Sequence, residues 1–284
     1  MKKPTEPKQE DCCNSGCNPC IFDVYEKQLQ LYESFKESGK TDSALANAIS
    51  QLDYTAFYVE NSIDLMNEHR LILFKQCNTS SDAERVVWNP GDHFLFKYLS
   101  KELNCTRAYT PVRIKIKEKY DFAILVKRYL NGVVSNHLCD LNIGDTTLWR
   151  GPYGHYKLIP NKFCRMIMIA QGTGIAPVYS IIKQVLNNED DMTNIILFYC
   201  CKNLMTVLLR NELYSFKSYW NFHYEVYLSD KLKEPCKYQE PIIPHRLNIS
   251  HINKLKTFTD GVFFIFVGIT KLTPFISKEL HKDL

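Results

Sequence analysis

An apolar run, Met166-Ile167-Met168-Ile169-Ala170, delivers the chain into Gln171-Gly172-Thr173-Gly174-Ile175-Ala176-Pro177. A strand, a glycine turn and a helix start in that order suit phosphate chemistry. Without a Cβ, Gly172 and Gly174 are able to take positive φ and let the backbone pass close to a pyrophosphate. Pro177 fits the first helical position, where its missing N–H costs nothing, and the unpaired amides around it favour an anion. Such a loop is also an ordinary tight turn when it stands alone, so its meaning depends on its company.

That company lies upstream. Arg107-Ala108-Tyr109-Thr110-Pro111 places a planar guanidinium, suited to phosphate oxygens, on a strand. Val126, Lys127 and Tyr129 follow on the next apolar segment, and Gly132-Val133-Val134-Ser135 opens a helix predicted over 136–141, whose first amides would also face an anion. Arg150-Gly151-Pro152-Tyr153-Gly154 completes the series. In order and spacing these motifs resemble the NADH-cytochrome b5 reductases of the flavin-dependent ferredoxin reductase superfamily, from about Tyr54 to about Phe275.

The resemblance implies FAD and NADH as cofactors, with NADPH as an alternative donor. Arg107 would meet the FAD pyrophosphate, Tyr109 would lie against the isoalloxazine, and Thr110, the one catalytic candidate, would offer its hydroxyl near N5 with Pro111 behind it. Val126, Lys127 and Tyr129 would line the ribityl and adenine side, and Gly132, Val133, Val134 and Ser135 the diphosphate. Gly172, Thr173, Gly174 and Pro177 would hold the nicotinamide dinucleotide, with Thr173 between the two rings and Gly268 beside the nicotinamide. Four departures stand against full carry-over. Val112-Arg113 follows Pro111 where a serine or threonine is frequent two residues after the proline, and the loop before Gly132 is shortened, with no counterpart to an aromatic that in the family often reaches FAD. Cys201-Lys202-Asn203-Leu204-Met205-Thr206 lacks the acid that selects a free 2'-hydroxyl, with Thr206 the position where an aspartate should restore it. Finally, Val267 stands before Gly268 where the family carries a cysteine.

Cys12-Cys13-Asn14-Ser15-Gly16-Cys17-Asn18-Pro19-Cys20 resembles a small oxidoreductase-like N-terminal module. Thiolates at Cys12, Cys13, Cys17 and Cys20 could close a zinc or iron–sulfur site, or stay as free thiols or a redox pair. The Cys13-x3-Cys17-x2-Cys20 spacing also fits a radical-SAM cluster, but the chain has no room for the barrel which that chemistry uses.

A chain of 284 residues with 45% apolar and 13% aromatic side chains suffices for two cores and an extension. Residues 1–38 divide into a disordered lead over 1–11, the cysteine module, and an amphipathic helix carried by Phe22, Tyr25, Leu29, Tyr32 and Phe35; 36–53 reads as linker. Short strands over 54–158 predict an antiparallel FAD-binding β-barrel. From 159 to 284, alternating strands and helices predict a parallel-sheet NAD(P)H-binding α/β domain. Arg113, Lys115 and Lys117 alternate as a solvated strand face would, and Cys164, Cys200 and Cys201 sit in apolar runs that predict burial.

A net charge of +4 is too small and scattered for a nucleic-acid surface, and no apolar run is long enough to span a bilayer. Eleven cysteines without a secretory signal point to a reducing, intracellular and soluble setting, cytoplasmic or mitochondrial. The expected function is an FAD-dependent NAD(P)H reductase delivering electrons to cytochrome b5 or another haem or one-electron acceptor. The rival is an idle reductase fold that serves as a binding or assembly module through its N-terminal cysteines. On the leading reading, the cysteine module is dispensable for flavin reduction.

Overall fold

The computed structural model describes residues 3–12, 20–38, 47–66, 68–77, 85–100, 103–248 and 262–268. The chain divides into two units, Met1–Asp64 with Arg70–Lys157, and Leu65–His69 with Leu158–Leu284.

In the first unit, α1 (Ile21–Ser38) precedes β1 (Thr55–Asp64), β2 (His69–Gln76), β3 (His93–Leu99), β4 (Asn104–Tyr109), β5 (Pro111–Val112) and β6 (Phe122–Lys127); α2 (Val133–Asp140) and β7 (Thr146–Tyr153) follow. The strands form one seven-stranded sheet in the order β4-β3-β7-β1-β2-β6-β5. Its two edge strands, β4 and β5, are consecutive in the chain and separated by Thr110 alone, so the sheet must curl until its edges meet. That is the antiparallel barrel expected from the short strands, with the Arg107–Pro111 motif running across its seam.

Alternation along the strands sends Phe57, Phe74, Phe94, Phe96, Phe122 and Trp149 into the interior. Rings there meet at centroid distances of 5.0–5.3 Å, and burying each contributes on the order of 2–3 kcal/mol. The Trp149 indole N–H donates to Thr147 Oγ1 at 2.8 Å, so the core holds no orphaned indole.

The opposite face of β3 is covered by the N-terminal segment. Val24 of α1 packs with Leu95, Tyr153 and Leu52. Fully buried Arg150 donates through Nη2 to the Asp11 carbonyl and lies 4.7 Å from the Tyr54 ring centroid, with Lys97 Nζ 4.8 Å from the same ring. The expected disordered lead is therefore corrected at Gln9–Asp11, a 3-10 turn docked on the barrel because a buried guanidinium needs an acceptor. The linker expectation also fails at Ala48 and Ile49, which enter the barrel core. Arg113, Lys115 and Lys117 are not on a strand. Sheet pairing stops at Val112, and the Tyr120 hydroxyl closes a loop by accepting from Ile114 N–H and donating to its carbonyl at 2.8 and 2.6 Å.

The second unit contains β8 (Arg165–Gln171), α3 (Ile175–Leu186), β9 (Asn194–Cys201), α4 (Arg210–Phe216), β10 (Phe222–Leu228), β11 (Ile242–Ile243) and β12 (Val262–Val267). All are parallel, in the order β11-β10-β9-β8-β12. The first strand, β8, thus lies between β9 and β12, and the order reverses at its carboxyl end, the place where open parallel sheets bind ligands. In α3, Ile175, Val178, Tyr179, Ile182, Val185 and Leu186 repeat at helical spacing and are buried. After β9 the helix starts late, because Leu209 takes φ +54° and begins α4 afresh after a 3-10 turn at Leu204–Thr206. Cys201 is buried and Cys200 half-buried, but Cys164 is exposed, since it lies just ahead of β8. Among the described residues no helix is long and apolar enough to cross a membrane.

Candidate functional site

On β4, Tyr109 and Cys105 pack against the barrel core, and strand alternation puts Arg107 between them on the same side. Arg107 is exposed; Nη1 donates to its neighbour's carbonyl, Thr106 O, at 2.9 Å, which holds the guanidinium back along the strand. Tyr109 is half-buried, 6.0 Å from Trp149, and burial raises its phenol pKa, so the hydroxyl stays protonated. Thr110, half-buried, occupies the seam, with Pro111 buried behind it.

On β6, Val126 is buried, and beyond it Lys127 Nζ lies 5.6 Å from the Tyr129 ring, which is 49% exposed and offers a platform. Gly132 is required by packing. A Cβ there would stand 2.2 Å from Ser135 Oγ and 2.9 Å from Tyr129 Cβ. The Ser135 hydroxyl closes this turn, donating to Gly132 O at 3.2 Å and accepting from Tyr129 N at 3.4 Å. These bonds shape the turn, and α2 begins already at Val133, earlier than expected, with no side-chain cap on its first amides. Those uncapped amides, exposed Val133 and the unpartnered buried Asn136 Oδ1 are consistent with a bound anionic, donor-bearing group.

In the second unit, Gly172 takes φ +53° with nothing within 4 Å of the position a Cβ would occupy, a conformation and an opening that suit a close-approaching phosphate. Gly174 differs from expectation. Its φ is −61°, and the absent Cβ makes room for Val267 O, which would lie 2.5 Å away. Pro177 is the third residue of α3, not the first, where its missing N–H still lacks an intrahelical acceptor. Thr173 sits half-buried in the 3-10 turn, and Gly268 is exposed beside Gln171 at the carboxyl end of β12.

After β9, Asn203 and Thr206 cap one another, with Thr206 N–H donating to Asn203 Oδ1 at 3.2 Å and the Thr206 hydroxyl to Asn203 O at 2.8 Å. Thr206 is buried by this, so Lys202 and Met205 are the exposed residues of the loop. Two features escaped the sequence reading: the Arg150–Tyr54 contact, and Tyr199, whose hydroxyl reaches the glycine loop. A tyrosine inside an apolar strand was the available signal for the second, because its buried hydroxyl needs a partner.

Cys12 and Cys20 are free and half-buried; Cys13 and Cys17 lie outside the described residues. Among the described residues no cluster of three or more His, Cys, Asp or Glu could hold a metal.

Three domain families match the chain: an oxidoreductase FAD-binding domain over residues 62–158, an oxidoreductase NAD-binding domain over 168–276, and the N-terminal domain of oxidoreductase-like proteins over 1–41. The human NADH-cytochrome b5 reductase-like protein is 30% identical over 84% of this chain and 77% of its own length. The chain belongs to the NADH-cytochrome b5 reductase-like family. The mouse member is 31% identical over 77% of this chain and 71% of its own. The cytochrome b5 reductase domain of Ulva prolifera nitrate reductase superposes with a TM-score of 0.69 at 25% identity, covering 84% of this chain and 95% of that one. A ferredoxin-NADP+ reductase from Neisseria gonorrhoeae, solved with FAD and NADP, shares the fold at TM-score 0.63 and 14% identity, covering 81% and 91%. This family member thus carries an FAD-binding and an NAD-binding domain and is an oxidoreductase of the cytochrome b5 reductase type.

Proposed function

We propose that the protein is an FAD-dependent NAD(P)H reductase that serves a one-electron acceptor, with cytochrome b5 the leading candidate. The observation that carries this is the placement of the glycine loop at the strand-order reversal of the parallel sheet, in a chain whose barrel seam presents Arg107, Tyr109 and Thr110 together. When bound, FAD supplies a centre that accepts two electrons from a nicotinamide and releases them singly. Arg107 holds a diphosphate, Tyr109 and Tyr129 supply aromatic faces, and Thr110 donates a hydroxyl at the seam. Gly172 admits the nucleotide phosphates to the backbone, and Gly268 keeps the end of β12 free of a side chain. The exposed loop after β9 bears Lys202 and no acid, which supports acceptance of NADPH beside NADH.

A second reading, an idle scaffold, draws on Val267, which stands where the related reductases carry a cysteine. Anaerobic titration decides between the two. The purified protein, reconstituted with FAD, is expected to be yellow and to bleach on adding NADH, then recover its colour on adding oxidised cytochrome b5. Bound flavin that stays oxidised under excess NADH and NADPH would establish the scaffold instead. Rapid bleaching with no transfer to cytochrome b5 would keep the reductase and remove that acceptor.

A further inference from the structure

Tyr199 lies in β9 beside β8 and is fully buried. Its hydroxyl donates to Gly172 O at 3.0 Å and accepts from Leu208 N–H at 3.3 Å. One oxygen therefore ties together two loops at the carboxyl ends of adjacent strands: the glycine loop after β8 and the Asn203–Leu209 loop after β9. The Gly172 carbonyl can only accept, so the hydroxyl is the donor there, and burial, with Cys201 beside it, raises the phenol pKa well above its ordinary value and keeps the proton in place.

We propose that Tyr199 is a positioning residue of the nucleotide site, which aims the Gly172–Thr173 peptide and couples the phosphate loop to the loop on the adenosine side. The inference rests on the nucleotide-binding reading above and deepens it. A trans peptide is planar, with its carbonyl and N–H pointing in opposite directions. Drawing the Gly172 carbonyl toward Tyr199 turns the Thr173 N–H away from β9. The same carbonyl also accepts from Ile175 N–H within the 3-10 turn, so both of its lone pairs are engaged. Gly172 is the residue best able to let this peptide rotate, since its φ of +53° is one of several that glycine tolerates. A rotated peptide would present its carbonyl oxygen to an incoming phosphate, a repulsive contact. Tyr199 thus supplies order that a glycine loop lacks on its own. Leu208, buried at the end of the second loop, loses its amide acceptor if the hydroxyl is removed.

The test is Tyr199→Phe in the full-length, FAD-loaded protein, which keeps the ring and removes the bridging oxygen. KM for NADH and Kd for NAD+ by calorimetry are expected to rise roughly tenfold, with kcat at saturation and FAD content within about twofold. Tyr227→Phe is the control: it removes the hydroxyl of another buried strand tyrosine, one bonded to Glu225, and should leave KM unchanged. Equal KM in Tyr199→Phe and wild type, or equal shifts in the two variants, would overturn the proposal. If Tyr199→Phe does not fold, amide hydrogen exchange of the wild-type chain decides: Leu208 protected like the neighbouring strand amides, without nucleotide, supports the bridge, and exchange at a loop-like rate refutes it. Wild-type protein that binds no NAD+ would instead refute the nucleotide-binding reading, while the exchange result still reports on the bridge.

Discussion

Gly172 and Gly174 are two residues apart, yet the structure gives them different reasons to be glycine, and replacing each with alanine separates folding from binding. At Gly174 the backbone, φ −61° and ψ −7°, suits any residue, and alanine gains roughly 0.5–1 kcal/mol in conformational terms. Against this, the new Cβ would lie 2.5 Å from Val267 O, 3.0 Å from Val267 C and 3.1 Å from its Cγ1. Backbone atoms of β12 have to move, and overpacking of that kind costs about 1–3 kcal/mol. The net expectation for Gly174→Ala is a loss near ~1–2 kcal/mol, a fall of roughly 3–6 °C in Tm for a unit of this size. At Gly172 the surroundings are open, but φ +53° is left-handed and costs an alanine about 1–2 kcal/mol. Gly172→Ala should therefore lose similar stability and, in addition, at least about tenfold in NAD+ affinity, because its methyl group occupies the space a phosphate needs. Thermal melts with and without NAD+, joined to calorimetric Kd values, give both quantities. A Gly174→Ala protein as stable as wild type would refute the packing argument, and a Gly172→Ala protein with unchanged Kd would refute the phosphate assignment.

Arg107→Ala should weaken FAD binding about 10–100-fold with little change in folding, since the side chain is exposed and bonds to the adjacent carbonyl; the flavin-to-protein absorbance ratio after gel filtration measures it. NADH and NADPH should be discriminated weakly, and Met205→Asp, on the exposed side of the loop, should favour NADH by about tenfold in kcat/KM, whereas Thr206→Asp should act mainly on the cap with Asn203. Burial opposes ionisation of Glu240, but both Arg210 bonds, each 2.6 Å, and Lys237 N–H at 2.9 Å outweigh it and hold its pKa below the ordinary value. Because the folded pKa is depressed, this stabilisation is complete above the ordinary value of 4.5 and disappears as pH falls through the folded one; Glu240→Gln should lower Tm at neutral pH and flatten its acid dependence. Removal of residues 1–38 uncovers Leu95, Tyr153 and Arg150, and should cost on the order of 3 kcal/mol while leaving the NADH bleaching rate per bound flavin intact in stopped-flow traces.

The parallel sheet was legible because buried strands read as unbroken apolar runs: the run Met166–Ala170 falls within β8. The glycine loop was legible for the same reason, as punctuation between an apolar strand and a helix. What failed has a common cause, namely that local pattern carries no information about partners distant in sequence. Asp11 looks like the end of a charged, disordered lead until Arg150, on β7, is seen to need its carbonyl. Ala48 and Ile49 look like linker until the open barrel end receives them. Gly174 reads as a second positive-φ glycine, whereas its constraint comes from Val267, across the sheet on β12.

Strand β4 also shows why the N-terminal segment belongs with the barrel. Phe94, Phe96 and Tyr98 on β3 face Tyr109, Arg107 and Cys105 on one side of the sheet; Leu95 and Lys97 face Ala108 and Thr106 on the other. The first side carries Arg107 and Tyr109, the residues proposed to meet FAD. The second carries Tyr54, whose hydroxyl lies 3.2 Å from Thr106 Oγ1, and with it Arg150, Asp11 and α1. A slip of one residue in β4 would exchange the two sets and turn Arg107 and Tyr109 away from the core. β4 is an edge strand, paired on one side only, so that register has less backbone pairing to defend it than an interior strand would. The Tyr54–Thr106 contact and the segment packed over it oppose the slip from outside. Loss of the module should therefore appear first as weaker flavin retention at raised temperature, with electron transfer through the retained flavin unimpaired.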